Sequence, residues 1–228
     1  MKNQIIIIDT ETCNIQKMEE VKPGNNLTYN IGWCALIPST GEVLVERSYV
    51  VREIFFREYE RMQTCYYADK IPKYAEGIAN GSYTVASFFE IMNEINAYCS
   101  ENKVIAICAH NARFDVDALN TTARWLTGLN SVTALPNLEI WDSMKMASCI
   151  FGKRPTYNKW CEENGYMTKH RPPRSRLTAE ILFRFISGDN EFEEEHTALS
   201  DVLIEKEIVL ACYKAHKPFD KVLYKARA

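Results

Sequence analysis

Apolar residues follow two kinds of pattern along this chain. A continuous apolar run predicts a strand at 4–9, and two β-rich runs separated by the turn PSTGE predict strands at 27–38 and 42–51. Two further buried strands are predicted at 104–109 and 138–142. Apolar residues spaced three and four apart predict helices at 52–65, 84–100, 112–127, 178–187 and 197–215. The stretch at 66–82 contains Pro72, Gly77 and Gly81, and we predict a loop there.

The order of these elements indicates the fold class. Three strands come first and helices then alternate with strands, which predicts an α/β fold with a mixed sheet flanked by helices. This βββαβαβα order with five strands resembles the ribonuclease H-like arrangement. With 228 residues, the chain is predicted to form a single domain, 1–228, with an inserted helix and loop around 52–81.

Composition excludes several classes of protein. The chain is 46% hydrophobic and 25% charged, as in soluble globular proteins. The apolar run at 5–8 is too short for a signal peptide or a membrane span, so we expect a cytoplasmic protein without a membrane partner. Its eight cysteines form no C-x-x-C pair, unlike a disulfide scaffold. The net charge of −3 argues against binding nucleic acid by bulk charge, but a local basic groove is compatible with it.

Two carboxylates stand at the end of the first predicted strand. Asp9 and Glu11 lie on one face because successive strand side chains alternate, and Thr10 points to the other face. Neighbouring like charges repel, and a divalent cation between them would keep both ionised at neutral pH. A solvated strand end carries the same D-x-E pattern, so the pair alone leaves both interpretations open.

Asp115 lies on a predicted helix that follows a buried strand. It shares a helical face with Leu119, Thr122 and Leu126, where a carboxylate without a partner is costly. We therefore expect Asp115 to have a partner. Asn111, four residues earlier, is predicted to be the N-cap of this helix.

His196 and Asp201 stand near the start of the last predicted helix. Five helical residues turn by about 500°, so the two side chains would lie about 140° apart on a helix. We therefore expect His196 on the preceding loop or first turn, and Asp201 on the helix, facing Asp9. Asp142 is the last residue of a predicted strand. Aspartate is a common N-cap, so we expect Asp142 to cap the segment SMKMASC that follows rather than to belong to the site.

Three segments together resemble a known family, the DEDDh exonucleases of the DnaQ-like superfamily, which includes polymerase III proofreading subunits, ribonuclease T and oligoribonuclease. They are DTET at 9–12, HNARFD at 110–115 and HTALSD at 196–201, in the family's order. The resemblance implies a 3′–5′ exonuclease that hydrolyses phosphodiester bonds at single-stranded DNA or RNA 3′ ends and releases nucleoside 5′-monophosphates. The family commonly has glycine soon after the first motif; here Thr12, Cys13 and Asn14 follow, so substrate contacts there stay open.

The resemblance also implies roles for single residues. Two Mg²⁺ or Mn²⁺ ions per active site would be bound by Asp9, Glu11, Asp115 and Asp201, with His196 as the general base. The expected substrate-binding residues lie beside the motifs and in a basic loop, and they are Thr10, Thr12, Asn111, Phe114, Arg171, Arg174 and Arg176.

The basic loop is MTKHRPPRSRL at 167–177. Pro172 and Pro173 exclude a helix there, so the cations should be spread along an extended loop. A solvated charge run is the alternative interpretation. The position of the loop between Asp142 and His196 favours a contact with substrate phosphates.

Other functions compete with an exonuclease. A non-catalytic nucleic-acid-binding or polymerase-docking module would use the same fold, and a hydrolase of small phosphodiesters would use the same acids. The aromatic residues of 52–81 either stack bases or cover the sheet, and we favour the second. The sequence does not distinguish DNA from RNA, and both a DNA polymerase and a homodimer are open as partners.

Overall fold

The computed structural model of the chain describes residues 2–14, 26–63 and 65–226. Within them lies one mixed sheet with the strand order β4-β3-β2-β1-β5-β6-β7. Its strands are β1 (Gln4–Asn14), β2 (Asn26–Ile37), β3 (Glu42–Val51), β4 (Thr84–Ala86), β5 (Val104–Ala109), β6 (Glu139–Asp142) and β7 (Val222–Tyr224). The helices are α1 (Arg52–Arg57), α2 (Tyr59–Met62), α3 (Ile71–Ala79), α4 (Phe88–Glu101), α5 (Arg113–Thr127), α6 (Ser143–Ile150), α7 (Pro155–Glu163), α8 (Ala179–Ser187) and α9 (Ala198–Lys214).

The predicted α/β fold with a mixed sheet is confirmed. β1, β2 and β3 form an antiparallel meander, whereas β5 pairs parallel to β1 and β6 parallel to β5. The expectation of five strands was too low by two, because β4 and β7 extend the sheet at its two edges. Each of these strands has three residues, too few to show a period-two pattern.

The segment after β3 differs most from the prediction. The loop predicted at 66–82 contains α3, because Pro72 lies in the first helical turn, where its missing N–H costs nothing. The helix predicted at 52–65 is split into α1 and α2, and position 64 lies outside the described residues. The helix predicted from 84 begins at Phe88, where the Ser87 and Glu90 side chains form a capping box. The single-domain prediction stays a prediction, since 15–25 also lie outside the described ranges.

Two apolar cores lie on opposite faces of the sheet. Ile6 and Ile8 of β1 pack into the core beneath α4 and α5, and Ile5 and Ile7 pack into the core beneath α6, α8 and α9. β1 is therefore buried on both faces, which explains its unbroken run of isoleucines. Within the described ranges, no helix is both long and apolar enough to span a bilayer.

The start of α9 packs directly on the backbone of β2. A Cβ atom on Gly32 would lie 2.3 Å from the carbonyl carbon of Ala198, so only glycine permits this approach. Next to it, the buried Asn30 side chain accepts hydrogen bonds from the Ala198 N–H (3.0 Å) and the Tyr74 hydroxyl (2.8 Å) and donates to the Tyr49 carbonyl (2.8 Å). Asn30 thus joins α3, β3 and α9.

Gly32 also pairs with Asp9 across the β1–β2 ladder, so this approach sets how far α9 stands from the acidic residues. We expect Gly32→Ala to lower the free energy of unfolding by about 2 kcal/mol or more, because a backbone-to-backbone overlap has no side chain that can move aside. Urea unfolding followed by circular dichroism measures this. The matched control is Ser39→Ala at the exposed β2–β3 turn, which should unfold like wild type. Equal stability of the two variants would contradict this packing.

Candidate active site

Three carboxylates meet beside the second half of β1, which continues to Asn14, beyond the predicted strand end at 9. Asp9 and Glu11 project from the β1 face that α9 covers, and Asp201 projects from the first turn of α9. One carboxylate oxygen of each lies within 4.8 Å of the other two. Glu11 is only 7% exposed, so this is not a solvated strand end.

Asp115 approaches the same point from the opposite face of the sheet. It lies in the first turn of α5, is 2% exposed, and accepts a hydrogen bond from the Thr10 hydroxyl at 2.8 Å. Thr10 points away from Asp9 and Glu11, as strand alternation requires, and the bond ties β1 to α5. Asp115 therefore has the partner that its burial demands, and Thr10 is its donor.

His110, directly after β5, is a structural residue. Its Nε2 lies 2.7 Å from the Leu177 carbonyl and its Nδ1 lies 2.8 Å from the Ser143 hydroxyl. A carbonyl only accepts, so Nε2 carries the proton and Nδ1 accepts from Ser143. Burial lowers the pKa of His110, which keeps the ring neutral. The contact with Leu177 anchors one end of the basic loop near the end of β5.

The predicted N-cap role of Asn111 is wrong. Ala112 occupies the N-cap of α5, whereas Asn111 has φ 61°, a left-handed conformation that asparagine tolerates. Its N–H donates to Asp142 Oδ1 at 3.1 Å, which holds it out of the cap position. The same oxygen accepts from the Met144 and Lys145 N–H groups, so the predicted N-cap role of Asp142 is confirmed.

His196 lies in the loop before α9, whose N-cap is Thr197. It has φ 51° and is half-buried, and Glu194 Oε2 lies 3.6 Å from its Nδ1. Burial and the nearby Lys70 ammonium lower the pKa of His196. Asp201 lies in the first turn of α9, so the two residues approach the site from different elements.

The inserted segment packs on this histidine loop. The Tyr67 ring stacks on the His196 imidazole with ring centres 4.5 Å apart and planes 22° apart. Lys70 donates to the Glu195 carbonyl, and the Lys73 ammonium lies 3.2 Å from the Glu195 carboxylate. The insertion thus fixes the position of His196 from outside the sheet.

Two further buried acids beside this cluster were not predicted as site residues from the sequence. One is Glu205 on α9, which is 2% exposed and whose Oε1 accepts a hydrogen bond from the backbone N–H of His110 at 2.9 Å. Its spacing of four from Asp201, inside an apolar stretch, was the signal that would have identified it. The other residue is Glu194, in the loop before α9; burial, with Asp201 nearby, raises its pKa from 4.5 to about 7.

The predicted substrate-binding residues lie around the acids, and the described contacts join only Thr10 to one of the four predicted metal ligands. Thr12 is half-buried after an irregularity in the β1–β2 pairing, and Asn111 and Phe114 are exposed at the start of α5. Arg171, Arg174 and Arg176 are exposed along the basic loop. The aromatic residues of the insertion divide: Phe55 and Tyr74 cover the sheet, whereas Phe56, Tyr59 and Tyr66 are exposed.

Burial makes the acidic cluster electrostatically strained. Burial, then Asp115 and Glu205, raise the pKa of Asp9 well above its ordinary value. Burial and the nearby Asp201 raise the pKa of Glu11 from 4.5 to about 8. Burial also raises the pKa of Asp115 from 3.8 to about 7 and that of Asp201 from 3.8 to about 6, although hydrogen bonds from Thr10 and Ser200 oppose these shifts.

These groups fit divalent cations. All the clustered donors are carboxylate oxygens, the ligands that Mg²⁺ and Mn²⁺ prefer. Charges of one sign lie too close together to be ionised without a counter-ion, and Glu205 Oε2 has no hydrogen-bond partner among the described residues.

The raised pKa values make stability depend on pH. The folded chain without metal binds protons that the unfolded chain has already released, so its stability falls as pH rises through about 6 to 8. We expect the melting temperature in EDTA to drop by several degrees between pH 5.5 and 8.5. Melting curves of wild type and Asp201→Asn test this, and the variant should show a flatter dependence. A wild-type melting temperature that increases over this range would exclude the strained cluster.

Solved structures with a similar fold include several nucleases. No protein-family model matches the chain, and no curated protein matches it. One similar structure is that of a 3′-exonuclease that specifically recognises the 3′ end of the histone mRNA stem-loop. The similarity covers 95% of this chain and 84% of the exonuclease chain, at 12% identity and a TM-score of 0.60. The nuclease domain of 3′hExo, a DEDDh family member bound to rAMP, is similar over 97% and 96%, at 14% identity and a TM-score of 0.60.

Exonuclease I of E. coli, in a zinc-bound complex with single-stranded DNA, is similar over 95% of this chain but 41% of its own, at 12% identity and a TM-score of 0.55. The three structures are similar in fold over most of this chain. The chain therefore has the fold of the DEDDh 3′-exonucleases, as the sequence predicts.

Proposed function

We propose that this protein is a metal-dependent 3′–5′ exonuclease that acts on single-stranded nucleic-acid ends and releases nucleoside 5′-monophosphates. The observation that carries the proposal is the convergence of Asp9, Glu11 and Asp201 within 4.8 Å beside the second half of β1. Asp115 stands beside them, and none of the four acids expected for the family is missing. The fold likeness to 3′-exonucleases supports the same conclusion.

The acids would act as metal ligands in this reaction. Asp9 has ligand partners on both sides, with Glu11 and Asp201 towards α9 and Asp115 towards α5, and we propose two Mg²⁺ or Mn²⁺ ions there. Such cations, when bound, lower the pKa of water and stabilise the charge on the leaving 3′ oxygen. The chain's own contribution is to hold the four carboxylates in place through the sheet and two helices.

His196 would be the general base. The Glu194 carboxylate beside Nδ1 favours a proton on that nitrogen, which leaves the Nε2 lone pair to accept the proton of the attacking water. Its lowered pKa keeps the imidazole neutral at physiological pH. Tyr67, stacked on the ring, would hold it at the angle that the proton transfer needs.

The substrate strand would lie across the exposed residues around this site. Tyr66 is 84% exposed and its ring meets Tyr67 edge-on, a position suited to stacking a base. Phe114 and Asn111, at the start of α5, and the backbone of Thr10 and Thr12 would contact the terminal nucleotide. Arg171, Arg174 and Arg176 would bind upstream phosphates without sequence preference.

The first test is cleavage of matched 5′-labelled DNA and RNA oligonucleotides with Mg²⁺. Wild type should produce a ladder of shortened products on at least one of them. Asp9→Asn, Glu11→Gln, Asp115→Asn and Asp201→Asn should each lower the rate by about 10² or more, because each removes charge that the transition state needs. The matched control is Asp117→Asn on α5, which should keep the wild-type rate.

Binding of an oligonucleotide without cleavage would instead identify a non-catalytic module. Inertness towards both polymers, with hydrolysis of a small phosphodiester, would identify a different hydrolase. A ligand variant that keeps more than about a tenth of the wild-type rate would remove that residue from the metal site.

The second test concerns His196. His196→Ala should lower kcat by about 10² to 10⁴ while Mn²⁺ binding persists, since only a proton acceptor is lost. The wild-type rate should decline only below about pH 6.5, because the lowered pKa of His196 keeps it neutral down to that range. An alanine variant with the wild-type pH profile and rate would show that another group is the base.

Tyr67 provides a matched pair in the same assay. Tyr67→Phe keeps the stacked ring and should keep kcat, whereas Tyr67→Ala removes it and should lower kcat by about tenfold or more, because a misplaced base transfers protons poorly. Equal rates for the two variants would mean that His196 is held by other contacts.

A further inference from the structure

Glu205 is a buried carboxylate with one oxygen in use and one free. It is 2% exposed, its Oε1 accepts from the His110 N–H at 2.9 Å, and its Oε2 has no hydrogen-bond partner among the described residues. A buried carboxylate oxygen without a donor costs free energy, so the fold has to gain something from it.

The backbone contact does not explain the charge. A glutamine amide oxygen would accept from the His110 N–H equally well and would bury no charge. A glutamate at this position therefore needs a second reason, and the free oxygen Oε2 is the atom that supplies one.

The position of Glu205 places this oxygen beside the acidic cluster. It stands one helical turn after Asp201 on α9, so both side chains leave the same face of the helix. Ile7 of β1 pairs with Cys108 of β5, and two residues further along lie Asp9 and His110. Because Glu205 binds the His110 N–H, its carboxylate lies between α9 and the end of β1.

The electrostatic neighbours agree with this placement. After burial, Asp115 is the largest cause of the raised pKa of Glu205, and Glu205 follows Asp115 among the neighbours that raise the pKa of Asp9. Glu205 is not one of the three acids whose oxygens lie within 4.8 Å of each other. Glu205 binds the residue that directly follows β5, and Asp115 stands five residues further along, in the first turn of α5, so both lie towards the β5 side of Asp9.

We propose that Glu205 is a positioning residue of the metal site, whose Oε2 accepts a hydrogen bond from the hydration water of a divalent cation held by Asp9 and Asp115. The inference rests on the proposed metal-dependent function and adds a fifth carboxylate to it. Besides Asp9, Asp115 is the only proposed metal ligand on this side. A further carboxylate that orients a metal-bound water would therefore strengthen binding of the cation there. Two divalent cations balance four carboxylates, and the fifth leaves the site one negative charge in excess.

The experiment is calorimetric titration of the intact chain with Mn²⁺ at pH 7.5, together with melting curves in EDTA. Wild type should bind two ions. Glu205→Gln, which keeps the acceptor for His110, should bind one ion as wild type does and the other about 10- to 100-fold more weakly. Its melting temperature in EDTA should equal or exceed that of wild type, because it buries one charge fewer.

The matched control is Glu207→Gln, two residues further along α9. Its carboxylate lies 3.2 Å from the Lys206 ammonium, and the change should leave both ions bound as in wild type. Glu205→Asp keeps the charge but retracts it by one methylene, so it should also weaken one ion.

Three outcomes would overturn the inference. If Glu205→Gln binds both ions with wild-type affinity, the carboxylate has no role in metal binding. If the variant binds neither ion, Glu205 does not support one metal position selectively. If it fails to fold in EDTA, the carboxylate serves the metal-free fold. Wild type that binds no Mn²⁺ would refute the proposed metal-dependent function itself, and that result is distinct from these three.

Discussion

The burial of several carboxylates within a few ångströms of one another is the constraint on which the rest of this structure depends. Like charges in a poorly solvated site repel, and a flexible support would let them separate. Here the support is stiff. Asp9 and Glu11 come from the central strand, Asp201 comes from α9 on one face, and Asp115 comes from α5 on the other. The two apolar cores hold those helices in place, so their packing opposes the repulsion.

The inserted segment belongs to the same support. Tyr74 of α3 donates to Asn30, which also receives the first N–H of α9, and the segment meets the histidine loop through Tyr67 and Lys73. The loop and the helix on either side of Thr197 are thus held by one external element. A protein of this fold without such an insertion would have to position this loop through other contacts, so the insertion links the geometry of the proposed base to the proposed substrate surface.

Much of the fold was predictable because long elements carry strong periodicity. The five longer strands, α5 and α9 follow directly from their apolar patterns, and three ordered motifs identified the acids. Short elements such as β4, β7 and α3 were not predictable, since they contain too few residues for a pattern or begin with a proline. The roles of Asn30 and Glu205 were also not evident, because a buried polar residue shows its partners only when distant segments meet. The prediction for Asn111 was wrong because asparagine is a common N-cap residue, whereas here its N–H donates a hydrogen bond to Asp142.

The stacking of His196 on Tyr67 gives this protein a built-in spectroscopic reporter. The chain has only four histidines, so its imidazole resonances are few enough to assign by single substitutions. His110 is locked in one tautomer by two contacts, and His170 and His216 are exposed. The Tyr67 ring current should displace the His196 protons from the positions of the two exposed rings. Movement of the histidine loop during binding would therefore be visible as a change in a single, well-separated signal.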